Sequence, residues 1–187
     1  MDLVDGFERG LDEFGGRVHR VGAQQWASAT PCTEWSVRDL VGHLTGEHLW
    51  APWLLRGATL DEVGDRFEGD VLGEDPVGAW DSAASASRAA VRAPGARDTP
   101  VHTSAGQIPA DDYLRQMTLD LAVHAWDLAR GIGADDRLDE DLVALCLDYA
   151  RGQADAWQGL GIFGPPVPAA DRAPRQDRLV ALLGRRP

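Results

Sequence analysis

Cysteine is scarce in this chain: two residues, Cys32 and Cys146, among 187. They form neither a C-x-x-C pair nor a zinc-finger spacing, so no disulfide framework or thiolate cluster organises the fold. The expectation is two free, buried thiols in a reducing compartment. The N-terminal MDLVDGFERGLDEF carries early acids and no apolar core segment, unlike a signal peptide. No stretch reaches the apolar length that a bilayer-crossing helix needs. Basic residues are in deficit, 18 against 30 acids, for a formal net charge of -12. Such a surface repels phosphate backbones and anionic membranes, so neither nucleic acid nor membrane is expected as a partner. G-x-S-x-G, P-loop and G-x-G-x-x-G signatures are all missing. A cytoplasmic protein acting on small molecules fits these absences, and a homodimer is compatible with them.

What is present is a chain that can bury a core. Hydrophobic residues make up 44% and charged residues 26%, enough for a single domain over 1–187 without disulfides. Helical spacing dominates, and the fold class expected is all-α. Leu3, Phe7, Leu11, Phe14, Val18, Val21 and Trp26 predict a first helix over about 3–27, with a kink at Gly15-Gly16. Ser36, with Asp39 three residues on, is a capping box opening a second helix towards Arg56, bent or broken by Pro52. Residues 57–76 read as a polar loop with one helical turn around Leu60 to Val63. An Ala-rich third helix follows over about 77–91. TPVHTSAGQIP suggests a small hairpin around Gly106. The strongest helix starts at Asp111 or Asp112 and closes at Arg130-Gly131. A fifth covers about 139–158 and carries Trp157. The segment from about 165 to 187 reads as a strap ending in a short helix over about 174–183.

Asp120 and His124, in TLDLAVHAWDLARG, stand four residues apart and so share one helix face. One metal ion can be gripped by such a pair, as by the two histidines of H-E-x-x-H. A third ligand must come from another helix. His43, in VRDLVGHLTGEHLW, is the best candidate, set among Leu40, Val41 and Leu44, with Gly42 allowing close helix approach. Two imidazoles, one carboxylate and an open position is a common zinc arrangement; nickel and iron accept the same set. The plainer reading of Asp120 and His124 is a surface ion pair, and of His43 a core histidine. Glu47, one turn after His43, His48 and Asp127 compete for the site. Glu47 and Asp127 rank as outer residues, hydrogen-bonded to ligands at most. His19 and His102 have no partner pattern and are expected on the surface. Cys32 has no neighbour in sequence that would activate it. Most of the seven tryptophans are expected in the core; Trp50 and Trp53 have a pocket mouth beyond His43 as their alternative.

TPCTEWSVRDLVGHLTGEHLW resembles the N-terminal metal-binding segment of mycothiol-dependent maleylpyruvate isomerase relatives, within the DinB/YfiT-like superfamily. DLAVHAWDLARGIG resembles the family's second ligand segment, and RLVALLGRRP its usual ending. The resemblance implies a four-helix bundle of up-down-down-up character, with a divalent metal at one end on His43, Asp120 and His124. It departs in two places. The isomerase has Glu at the acid position, here Asp120. It also carries an additional C-terminal domain, where this chain has only the strap. The resemblance therefore implies thiol-dependent metal chemistry, not maleylpyruvate isomerisation itself.

The expected function is a metal-dependent enzyme that uses a low-molecular-weight thiol of the mycothiol type to transfer or isomerise a small electrophile. Glu47 is the candidate proton-transfer residue. The alternative is a non-catalytic metal-binding module in which the ion is structural or sensed. An open coordination position facing a pocket separates the two.

Overall fold

The computed structural model describes residues 1–33, 35–160, 163–170 and 172–187, with the backbone alone over 154–160. The side chain of Trp157 lies outside the described residues. Among the described residues the elements run α1 (Leu3–Val18), α2 (Val37–Leu54), α3 (Leu60–Val63), α4 (Pro76–Arg92), β1 (Val101–Thr103), β2 (Gly106–Ile108), α5 (Ala110–Ile132), α6 (Glu140–Leu160) and α7 (Arg175–Leu182). Helices hold 57% of the chain. The two strands form one antiparallel hairpin, with Val101 opposite Ile108. This is the all-α class, with one small hairpin, that the periodicity predicts.

Local chemistry explains most boundaries. Ser36 and Asp39 make the capping box that starts α2, each accepting from the other's backbone N–H. Thr59 and Glu62 repeat it for the single turn of α3. Pro52 falls in the last turn of α2, which ends two residues later at Leu54. The first helix is shorter than its pattern: α1 runs unbroken through Gly15-Gly16 but stops at Val18. Val21 and Trp26 still pack against the core from a turn-rich segment. Their burial kept a helical spacing without a helix. At the other end, α5 passes Gly131 and closes on Gly133, which sits in the left-handed region at φ 69°. Gly131 serves a different purpose. A Cβ there would lie 3.2 Å from the Ala29 carbonyl oxygen and 3.3 Å from Val37, so its lack lets α5 approach the turn before α2.

α5 is the axis of the bundle. Leu114, Met117, Leu119, Leu121, Val123, Trp126 and Leu128 bury nearly all its faces. A helix apolar on all sides belongs in the interior. It packs against α1, α2 and α6, while α2 also lies along α4. The strap helix α7 packs on α6, burying Leu179 and Val180. Polar residues on α5 are thereby held at fixed positions inside the protein. Among the described residues, no helix is long and apolar enough to cross a membrane.

Candidate metal centre

Three residues from two helices converge. His43, on α2, places Nε2 3.1 Å from Asp120 Oδ2 on α5. His124, one turn along α5, places Nε2 3.3 Å from Asp120 Oδ1. One donor atom from each of His43, Asp120 and His124 lies within 4.8 Å of the others. The two imidazoles meet edge-on at 5.4 Å between centroids. The sequence-derived trio is thus brought together, and its donors, two nitrogens and one oxygen, suit a divalent ion of the zinc type. Gly42 plays no part in the approach: its missing Cβ faces Leu72 at an ordinary 3.7 Å.

Asp127 supports the His124 ring from the other side. Its Oδ2 lies 3.0 Å from His124 Nδ1. A carboxylate only accepts, so Nδ1 donates to Asp127, and Nε2 of the protonated ring donates towards Asp120; a metal at Nε2 would take the place of that proton. Asp127 is fully buried and is held in turn by Arg185, whose Nη2 donates to Oδ2 at 2.8 Å and whose Nε donates to Oδ1 at 3.3 Å. Burial disfavours a charged His124, but Asp120 and Asp127 on either side raise it to about 9. The same two carboxylates favour any cation at Nε2. Burial likewise opposes ionisation of Asp120, and the charges and hydrogen bonds of His124 and His43 outweigh it, holding the carboxyl well below its usual range.

A second cluster, Cys32, His124 and Asp127, shares the same histidine. Both Asp127 oxygens are already engaged by Arg185 and His124, so this group reads as the outer support of the first. Burial pushes the Cys32 thiol up, with Arg185 acting the other way. Cys32 is half-buried and Cys146 buried; both are free.

Two concavities meet at the trio. A cavity of about 460 Å³ is bordered by His43, Asp120 and His124 together with Leu44, Met117, Leu119 and Ile108. An open groove of about 830 Å³ lies on the other side of His43, bordered by Trp50 and Phe67. Trp50 therefore lines the groove, the alternative to a core position. Trp53 instead meets the guanidinium groups of Arg56 and Arg66, at 3.7 and 3.9 Å from its ring. Glu47 and Trp35 border both spaces. Glu47 is exposed in surface area yet stands between two concave walls. Desolvation there raises its carboxyl, Asp120 adds to the rise, and His43 opposes it. His19 pairs with Asp81, and His102 with Gln107, both on the surface.

A family model described as the mycothiol maleylpyruvate isomerase N-terminal domain matches residues 7–129. This chain belongs to that family. Two proteins from two strains of Mycobacterium tuberculosis, both described as uncharacterized, are each 30% identical over 195 residues, covering 99% of this chain and 98% of theirs. Two crystal structures of a mycothiol-dependent maleylpyruvate isomerase, one a histidine-to-alanine mutant, share the fold. Their TM-scores are 0.65 and 0.64 at 14% and 16% identity, over 86% of this chain and 73% of theirs. The span matched to the isomerase N-terminal domain family contains His43, Asp120, His124 and Asp127. Arg185 falls beyond it.

Sequence reasoning missed three residues here. Arg185 lies 58 positions from Asp127, and no local pattern links them. Trp35 packs over both imidazoles, at 4.8 Å from His43 and 5.7 Å from His124. Its place just before the Ser36 cap was the available signal, since a capped helix start fixes the direction of the preceding residue. Tyr113 borders the cavity from the first turn of α5.

Proposed function

We propose that this protein is a metal-dependent enzyme that joins or passes a low-molecular-weight thiol of the mycothiol type to a small electrophile, in transfer or isomerisation. The observation that carries the reading is the convergence of His43, Asp120 and His124 at the wall of a cavity. A structural staple would be closed by protein ligands; a catalytic site keeps a position open to a pocket. Membership of the isomerase N-terminal domain family supports the thiol.

In this reading the three residues hold one divalent ion, zinc by ligand type, with nickel or iron as substitutes. When bound, the ion supplies Lewis acidity that lowers the pKa of a thiol reaching it. The chain's own residues do the rest. Asp127 and Arg185 fix the His124 ring. Trp35 covers both imidazoles and limits water at their faces. Glu47, raised and set between groove and cavity, takes or returns a proton. The groove is wide enough for a polar thiol conjugate, and the narrower apolar cavity for the electrophile.

The test is cobalt substitution of protein purified without a histidine tag. Adding mycothiol should produce a sulfur-to-metal charge-transfer band. Stoichiometric cobalt with no spectral change at saturating thiol would overturn the thiol-dependent reading and favour a closed metal module.

A further inference from the structure

Two residues that border the cavity beside the trio carry buried polar atoms left without a hydrogen-bond partner among the described residues. The atoms are Tyr113 Oη and His48 Nε2, and both residues border this one space. Tyr113 is 5% exposed and His48 fully buried. Neither is a stray surface group, because each is held from behind. The His48 ring is fixed by Ser87 Oγ on α4, 2.9 Å from Nδ1, and by Phe7 and Trp80 at 5.8 and 5.4 Å. Tyr113 is set by the first turn of α5. Proteins leave few buried polar groups unsatisfied, and such groups in a cavity point to a ligand that completes them.

The charge of the cavity narrows that ligand. Among the described residues its border includes the carboxylates Glu47 and Asp120 and no arginine, and the charge of His124 is already matched by Asp120 and Asp127. The chain has no lysine at all. Arg185, behind His124, is committed to Asp127. Even a dication on the trio would be offset by the two carboxylates. The rest of the border is mainly apolar, with Leu44, Ile108, Met117, Leu119 and Phe163, and its other polar side chains, Thr103, Ser104 and Gln116, are uncharged.

We infer that Tyr113 and His48 form the binding subsite for a neutral carbonyl oxygen of the electrophile, and that this cavity selects an uncharged, apolar-bodied carbonyl compound over a carboxylate. The inference rests on the proposed function for the word electrophile, but not for the binding preference. It also separates this chain from an enzyme of maleylpyruvate, a compound bearing two carboxylates. Protonation agrees with a donor role. Burial, and then Glu47, push the Tyr113 phenol up, so the hydroxyl keeps its proton. Burial pushes His48 down to about 3, leaving a neutral ring. The subsite uses the tautomer in which the Ser87 hydroxyl donates to Nδ1 and Nε2 carries the ring proton; the 2.9 Å contact admits it.

The test compares cinnamamide with cinnamate, two unreactive molecules of one skeleton that differ in charge. Each is titrated by calorimetry into the zinc-supplemented full-length protein and into the same protein after chelation. Cinnamamide should bind at least about tenfold more tightly than cinnamate, the scale of one hydrogen bond plus the charge penalty. Tyr113→Phe and His48→Leu should each lose about tenfold of cinnamamide affinity and leave cinnamate where it was. Thermal melts check the fold; Tyr113→Phe should melt no lower than the parent, because it removes an unsatisfied hydroxyl. Equal or tighter binding of cinnamate, unchanged affinity in Tyr113→Phe, or no binding of either compound at millimolar concentration would overturn the subsite. A protein that holds no metal yet shows the expected preference would overturn the proposed function and leave the subsite standing.

Discussion

Arg185 and Asp127 form a buried ion pair that ties the C-terminal strap to the candidate metal centre. The guanidinium is 8% exposed and the carboxylate 0%, with Nη2 2.8 Å from Oδ2. Asp127 spends its remaining capacity on His124. The strap is therefore more than a cover for α6: it neutralises the carboxylate that sets the His124 ring. Phe163 adds an aromatic face 5.6 Å from the same guanidinium.

Removing one partner should be costly, because the other is left buried and unpaired. Arg185→Ala is expected to lose about 3–5 kcal/mol of folding stability in urea denaturation. Arg185→Lys should fall between that variant and the parent, since one ammonium cannot reproduce the two-point contact. A loss under about 1 kcal/mol for Arg185→Ala would mean that water reaches Asp127 freely.

His48 predicts how stability depends on acid. Burial depresses its folded pKa from 6.5 to about 3. Between those values the unfolded chain binds a proton that the folded chain refuses. The residue therefore costs nothing above pH 6.5, and its penalty grows as pH falls from 6.5 towards 3. At pH 5 it is about 2 kcal/mol. Asp120 pulls the other way and His43 with the shift, and both are present in the variant as well. Urea midpoints of parent and His48→Leu at pH 7 and pH 5 give the difference. The variant should lose about 2 kcal/mol less over that interval; equal losses would place a solvated, freely titrating ring at this position.

Much of this architecture was legible in the sequence because local signals carried it. Ser36 and Asp39 fixed the start of α2 to the residue, and the i,i+4 spacing of Asp120 and His124 fixed their common face. His43 was found by its apolar neighbours and by family resemblance, since nothing in spacing links residues 77 apart. Where the reading failed, burial had been taken for helix. Val21 and Trp26 keep α1's periodicity beyond its true end at Val18 because a turn, too, can place side chains in the core. Arg185 was invisible for another reason. Its partner is set by how α7 docks on α6, and that register follows from packing, not from pattern.

The two thiols should differ in reactivity. Burial pushes Cys146 up to about 12, and its Sγ lies 3.8 Å from the Thr118 carbonyl oxygen. Cys32 is raised as well but half-buried. Disulfide-exchange reagents need a thiolate that they can reach. At pH 8 the native protein should therefore release at most one equivalent of chromophore from a general disulfide-exchange reagent, slowly, and two in guanidinium. Cys32→Ser should abolish the native reaction. Two fast equivalents from the native protein would contradict the closed packing around Cys146.

The ligand assignment makes the strictest demand. A site with three protein donors has none to spare, so His43→Ala, Asp120→Ala and His124→Ala should each lose most of the metal on dialysis against a weak chelator. Asp120→Glu should retain more, because it keeps the carboxylate. Glu47→Ala should keep the metal, since Glu47 borders the concavities without joining the donor cluster. If Glu47 handles protons, the variant should still lose thiol-transfer activity. Asp127→Asn tests the outer support: it keeps the size of the side chain but weakens its hold on the Nδ1 proton, and metal affinity should fall about 10–100-fold. His19→Ala and His102→Ala are surface controls and should change nothing. None of the helical changes introduces Gly or Pro, so the bundle should survive them. If His43→Ala kept full metal while Glu47→Ala or His48→Ala lost it, the α2 ligand would be reassigned and the ion retained. If the parent itself emerged metal-free from zinc- and nickel-supplemented medium, His43, Asp120 and His124 would be an ion-paired cluster and the proposed chemistry would fall with them.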